Sequence, residues 1–238
     1  MKIALMVILL LGAVSLAAQT KVVALRSQSP LISFRVVFLT GSASDPADQP
    51  GLAALTASML AQGGSREMTY KQILDAMFPM ATSVSSQVDK EMTVFSATTH
   101  VDNLEAFYKL FHAMLLDPGW RSDDLDRLRD DAVNFLQVGL RGNNDEELGK
   151  EVLYNQIYAG HPYGHQNTGT VSALRKIALA DLRKFYQERY TRQNLVLGIA
   201  GGFPESFLER MKKDFAALPE KGSPAPAGRS RRRSTAST

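Results

Sequence analysis

Histidine, carboxylate and serine are the side chains here with types and spacings suited to chemistry, because the chain contains no cysteine. Thiolate metal sites and disulfide frameworks are therefore excluded. Of the four histidines, His161 and His165 stand four apart, a spacing that pairs metal ligands on one helix face. Pro162 and Gly164 lie between them, and a helix through both is not expected, so this pair reads as a loop feature. His100 is solitary, and His112, between Phe111 and Ala113 in a helical pattern, reads as a packing residue. No two histidines and a carboxylate are spaced to close a metal triad. Asp89 and Glu91 flank a strand-to-strand bend, while Asp145, Glu146 and Glu147 open a helix, where the helix dipole favours acids. Ser83, Ser85 and Ser86 cluster, but no Gly-x-Ser-x-Gly elbow or base partner accompanies them. A serine hydrolase is not indicated.

The elements that must position these groups are legible from periodicity. Lys21–Leu25 and Ile32–Leu39 carry strand character, with a break at Pro30. Pro50 suits a first helical position and Gly63-Gly64 a C-cap, which frames a helix over Gly51–Gln62. On that helix Leu52, Leu55, Met59 and Gln62 follow helical spacing, whereas Ala54, Ala57, Ser58 and Ala61 form a small-residue face, read as a close helix or strand contact. Further helices are expected at Thr69–Met77, Leu104–Leu116, Ser122–Val138, Glu146–Tyr158, Ala178–Tyr190 and Pro204–Ala217. Further strands are expected at Ser83–Asp89, Glu91–Thr98 and Leu195–Ala200, and a short turn at Thr170–Ala173. This order predicts an α+β domain, a mostly antiparallel sheet with helices packed on one face.

The run Gly51-Leu52-Ala53-Ala54-Leu55-Thr56-Ala57-Ser58-Met59-Leu60 resembles the active-site helix of the insulinase (pitrilysin) family of zinc peptidases, G-L-A-H-F-L-E-H-M-L in a working member. The family's inverted motif H-x-x-E-H falls on Ala54, Ala57 and Ser58. Its third ligand, a glutamate in a run like N-A-V-x-x-E, falls on Leu136 within Asp131-Ala132-Val133-Asn134-Phe135-Leu136. Other matches follow in family order: Thr93-Val94-Phe95, the Leu116-Asp117-Pro118 helix exit, His161-Pro162-Tyr163-Gly164, and a late strand over Leu195–Gly202. The resemblance covers about Val22 to Leu218. It implies a half-clamshell domain without zinc, since zinc requires imidazole, thiolate or carboxylate and the attacking water requires a base.

Residues 1–18 read as a signal peptide: Lys2, the apolar run Ile3–Val14, and small residues before cleavage after Ala17 or Ala18. This places the protein in the periplasm or outside the cell, with no stable membrane anchor after cleavage. Residues 19–218 form the expected domain, and 219–238 a disordered Pro/Ala/Arg-rich tail or a linker to a second domain. Net charge is +3; Lys2, Arg229, Arg231, Arg232 and Arg233 supply five positives, so the remainder carries −2 and nucleic acid is not an expected partner.

The resemblance implies an exported, catalytically inactive half of a peptide-degrading or peptide-processing clamshell, not an enzyme by itself. Its expected partners are a zinc-bearing insulinase-family subunit or second domain, and extended peptides. In active relatives an edge strand pairs with the substrate backbone; here Ser83, Ser85, Ser86 and Gln87 would make those contacts, Ser85-Ser86 replacing an N-A pair. Two alternatives remain open at this point: an active zinc metalloendopeptidase with a displaced site, and a structural subunit like the respiratory-complex core proteins.

Overall fold

A computed structural model of the chain describes residues 20–222; the expected signal peptide and most of the tail lie outside the described residues. Alternation sets the sheet. In β2 (Leu31–Phe38), Ile32, Phe34, Val36 and Phe38 are buried, while Ser33, Arg35 and Val37 turn outward. Together with β1 (Lys21–Arg26), β3 (Val84–Val88), β4 (Thr93–His100) and β5 (Leu195–Gly201) it forms one five-stranded sheet of order β1-β5-β2-β4-β3. The β1–β5 pair is parallel and the other three pairs are antiparallel. The expected architecture is the observed one.

The helices are α1 (Leu52–Gln62), α2 (Tyr70–Met77), α3 (Leu104–Leu116), α4 (Ser122–Asn134), α5 (Asp145–Ile157), α6 (Val171–Leu174), α7 (Leu179–Arg189) and α8 (Glu205–Phe215). They cover the inward face, except that α5 buries no residue and lies against the segment that follows α4. Phe34 anchors the core, its ring 5.6 Å from Phe107 and 5.6 Å from Phe111 of α3 and 6.0 Å from Phe207 of α8. Burial of such side chains is the main favourable term in the fold. Thr69 and Gln72 form a capping box that starts α2 where the sequence places it.

Three details differ from expectation. Pro50 is not the first helical residue: Gly51 caps α1 with φ +100, a left-handed conformation cheap only for glycine. The helix expected over Ser122–Val138 leaves α geometry at Asn134 and passes into a π-helical segment, Phe135–Leu140, which buries Leu136 and Leu140. A widened turn keeps the amphipathic pattern, so periodicity does not reveal it. Ordered structure also continues past Leu218, since the carbonyls of Pro219 and Glu220 accept from the backbone amides of Arg192 and Gln193 at 2.8 and 3.1 Å.

Candidate functional site

The small-residue side of α1 divides in two. Ala57 and Ala61 are fully buried where α1 packs against β3, α4 and α7, as a close-contact face requires. Ala54 and Ser58, one turn apart, are only partly covered. Leu136, 5 % exposed, is a core residue of the π-helical segment. Two methyls, a hydroxyl and an isobutyl group offer zinc neither imidazole nor carboxylate, and no base for a water. The residues at these four positions do not fit the metal. Among the described residues no three His, Asp or Glu side chains gather as a substitute.

The strand expected to meet peptides is at the sheet edge. β3 pairs with β4 alone, so its other side presents backbone groups without a strand partner, of which the Val88 carbonyl is occupied by the Asn167 amide. Ser85 and Gln87 face outward, and Ser86 lies on the inward side with Val84 and Val88, opposite buried Phe95. Ser83 immediately precedes the strand. The Ser85 hydroxyl lies 3.4 Å from the Ser96 carbonyl. Asp89 and Glu91 flank the turn to β4, where the amide of Asp89 donates to the carbonyl of Met92 at 2.8 Å.

Sequence reasoning missed a buried polar cluster at the start of α1. The side chain of Asp45 is 0 % exposed. Its carboxylate accepts from the backbone amides of Gly51 and Ala53, both at 2.7 Å. His165 Nε2 approaches the same group at 3.2 Å. Burial pushes the Asp45 carboxyl above its ordinary range, outweighing the opposing hydrogen bonds. The Lys90 ammonium donates to the His165 carbonyl, and burial draws it below the usual lysine range. Asn167 joins the same loop to the sheet: its amide donates to the Val88 carbonyl at 3.0 Å and its oxygen accepts from Ser42 at 2.7 Å. A helix cap is normally sought beside the helix; Asp45 sits six residues before Gly51, and His165 far along the chain.

The loop also bounds a cavity of about 900 Å³ at the sheet end, where Tyr163, His161 and Pro162 face Asp89, Glu91 and Met92. The Tyr163 hydroxyl donates to Glu91. His161 and His165 thus serve different neighbours and do not converge as metal ligands.

The family model described as Insulinase (Peptidase family M16) matches residues 21–171. An uncharacterized zinc protease of Bacillus subtilis, YmxG, is 20 % identical over 77 % of this chain and 44 % of its own length. The mitochondrial-processing peptidase subunit beta of Dictyostelium discoideum is 22 % identical over 74 % of this chain and 38 % of its own. Among solved structures, a peptidase M16 inactive domain from Pseudomonas fluorescens superposes with TM-score 0.78 and 26 % identity, over 88 % of this chain and 51 % of that one. The first half of the periplasmic protease PqqL from Escherichia coli shares the fold, with TM-score 0.73 and 15 % identity over 86 % of this chain and 46 % of that one. The chain spans about half the length of these relatives or less. No helix among the described residues is long and apolar enough to cross a membrane.

Proposed function

Because the chain belongs to the insulinase family, peptidase family M16, we propose that it acts as a catalytically silent, zinc-free half of an exported peptide-handling clamshell. The observation that carries this reading is the donor set: Ala54, Ala57, Ser58 and Leu136 stand where the family's ligands and general base are expected, and Ala57 is sealed in the core. The closed chamber then comes from pairing with a zinc-bearing insulinase-type half, on the same polypeptide or another subunit. Relatives about twice as long as the matched region support that partnership. Extended peptides bind by adding a strand to β3, with Ser83, Ser85, Ser86 and Gln87 beside them. Export follows from the expected signal peptide, and a periplasmic compartment from the same segment.

The test is elemental analysis for zinc on the purified mature protein, run beside peptide hydrolysis with and without a chelator. The expected result is no stoichiometric zinc and no cleavage. Stoichiometric zinc with chelator-sensitive cleavage would overturn the reading.

A further inference from the structure

The outward face of the sheet is laid out in rows by strand register. Arg35 of β2 stands opposite Gly198 of β5 on one side and Ser96 of β4 on the other, and Ser96 stands opposite Ser85 of β3. In the adjacent row Ser33 lies opposite Ala200 and Thr98, the Ser33 and Thr98 hydroxyls 3.1 Å apart. Gly198, Ser96, Ser33 and Thr98 leave the exposed guanidinium uncrowded on those sides, while Val37, Val94 and Val196 form the row on its other side. The guanidinium donates to the Phe34 carbonyl at 2.9 Å, and among the described residues no carboxylate pairs with it.

From Arg35 toward the start of β3 the face sinks into a hollow of about 360 Å³, lined by Arg35 and the hydroxyl-bearing residues Thr82, Ser83, Ser85, Ser96 and Thr98. No acidic side chain lines it. The Thr82 hydroxyl already donates to the Thr98 carbonyl at 2.6 Å; a guanidinium with unused N–H groups beside the Ser83 and Ser96 hydroxyls, which can rotate to donate, is the chemistry of an oxyanion receptor.

The hollow has a fixed place along the edge strand. β3 begins beside it at Val84 and ends at Val88, next to Asp89 and Glu91. An extended peptide lying antiparallel to β3 has its C-terminal end at the hydroxyl-lined hollow and its N-terminal end at the two carboxylates. Charge complementarity favours that direction: carboxylate toward guanidinium, and ammonium toward Asp89 and Glu91, which outnumber the Lys90 ammonium held on the His165 carbonyl. The free edge of β3 supports a strand about 14 Å from β2, three strand spacings away. The carboxylate that reaches Arg35 therefore belongs to residues that leave the edge and turn toward β2 across the outward face.

We propose that the hollow over Arg35 binds a carboxylate from a peptide held on the β3 edge, either its C-terminus or an acidic side chain close to it. This rests on the edge-strand part of the reading above and adds a ligand class, a binding direction and a residue that sets selectivity.

Isothermal titration calorimetry on the purified chain tests it with one heptapeptide in three forms: free acid, C-terminal amide, and amide with glutamate as the last residue. The free acid is expected to bind at least about tenfold more tightly than the plain amide. Arg35→Gln should bind both at the level of the amide, and Arg35→Lys should keep part of the preference, because it retains charge without the planar fork. Tight binding of the glutamate form identifies a side-chain carboxylate as sufficient; weak binding assigns the site to the terminus. Either supports the proposal. Equal binding of all three forms to the unsubstituted protein, or a preference that survives Arg35→Gln, overturns the carboxylate site while leaving edge binding intact. No binding of any form overturns edge binding and this site together.

Discussion

The carboxylate of Asp45 and the imidazole of His165 meet at 3.2 Å beneath the first turn of α1, although 120 residues separate them. Asp45 also holds the amides of Gly51 and Ala53, so one buried side chain caps the helix and fastens the His161–Gly169 loop over it. Helix N-termini leave amides without intrahelical partners, and burial makes those amides costly to leave unpaired. The same contact thus starts the helix and sets the loop that bounds the sheet-end cavity.

Asp45→Asn keeps the size of the side chain but leaves one oxygen where two are used. The expected loss is about 2 kcal/mol, from one buried amide left without an acceptor and a weaker contact to His165. For a domain of this size that lowers the melting temperature by roughly 4–8 °C. Thermal unfolding followed by circular dichroism measures it, and an unchanged midpoint would show that the cap contributes nothing.

The pH dependence has a definite sign. Burial raises the Asp45 carboxyl in the folded state, so the folded protein holds that proton more tightly than the unfolded chain. Its contribution is complete below the unfolded value of about 3.9 and is lost as pH climbs through the raised folded value. Urea midpoints for the wild type and Asp45→Asn should therefore converge or cross as pH rises from about 4 to 8, with the wild-type advantage greatest at the acidic end. A wild-type advantage that grows with pH would mean that the pairing with His165 outweighs burial.

Two glycines give opposite expectations for the same substitution. At Gly51, φ is +100 and an added Cβ would come 2.4 Å from the Thr168 carbonyl oxygen, so Gly51→Ala should cost about 2 kcal/mol or more. At Gly149, inside α5, an added Cβ meets nothing within 4 Å, and Gly149→Ala should stabilise by about 0.5–1 kcal/mol. Chemical denaturation of the two variants decides both; equal midpoints would contradict the account of the α1 entry.

Leu136→Glu alone should destabilise by about 3 kcal/mol, because it places a carboxylate at a core position 5 % exposed. Added zinc should not rescue that variant, since Ala54 and Ser58 supply no imidazole. Combining it with Ala54→His and Ser58→His, at two partly covered positions one turn apart, should let zinc raise the melting temperature by preferential binding to the folded state. A thermal-shift titration with zinc reads both variants. A zinc-dependent rise in Leu136→Glu alone would point to donors elsewhere.

Local residue patterns determined much of this protein. Alternation in Ile32–Phe38 made a half-buried strand, helical spacing in Leu104–Leu116 made a core helix, and the residues at 54, 57, 58 and 136 lack zinc donors whatever the fold. These properties are set within a few residues, where backbone sterics and side-chain chemistry act directly. Tertiary structure decided the rest. Asp45 meets His165 because a distant loop crosses the start of α1, passing so close that Gly51 and Gly169 stand where neither could carry a Cβ. Arg35 gains its setting from sheet register, which puts Gly198 on one side and Ser96 and Ser85 on the other from three separate strands. Neither arrangement has a period along the chain. Each exists only once strand pairing and loop closure have brought remote residues to hydrogen-bonding distance.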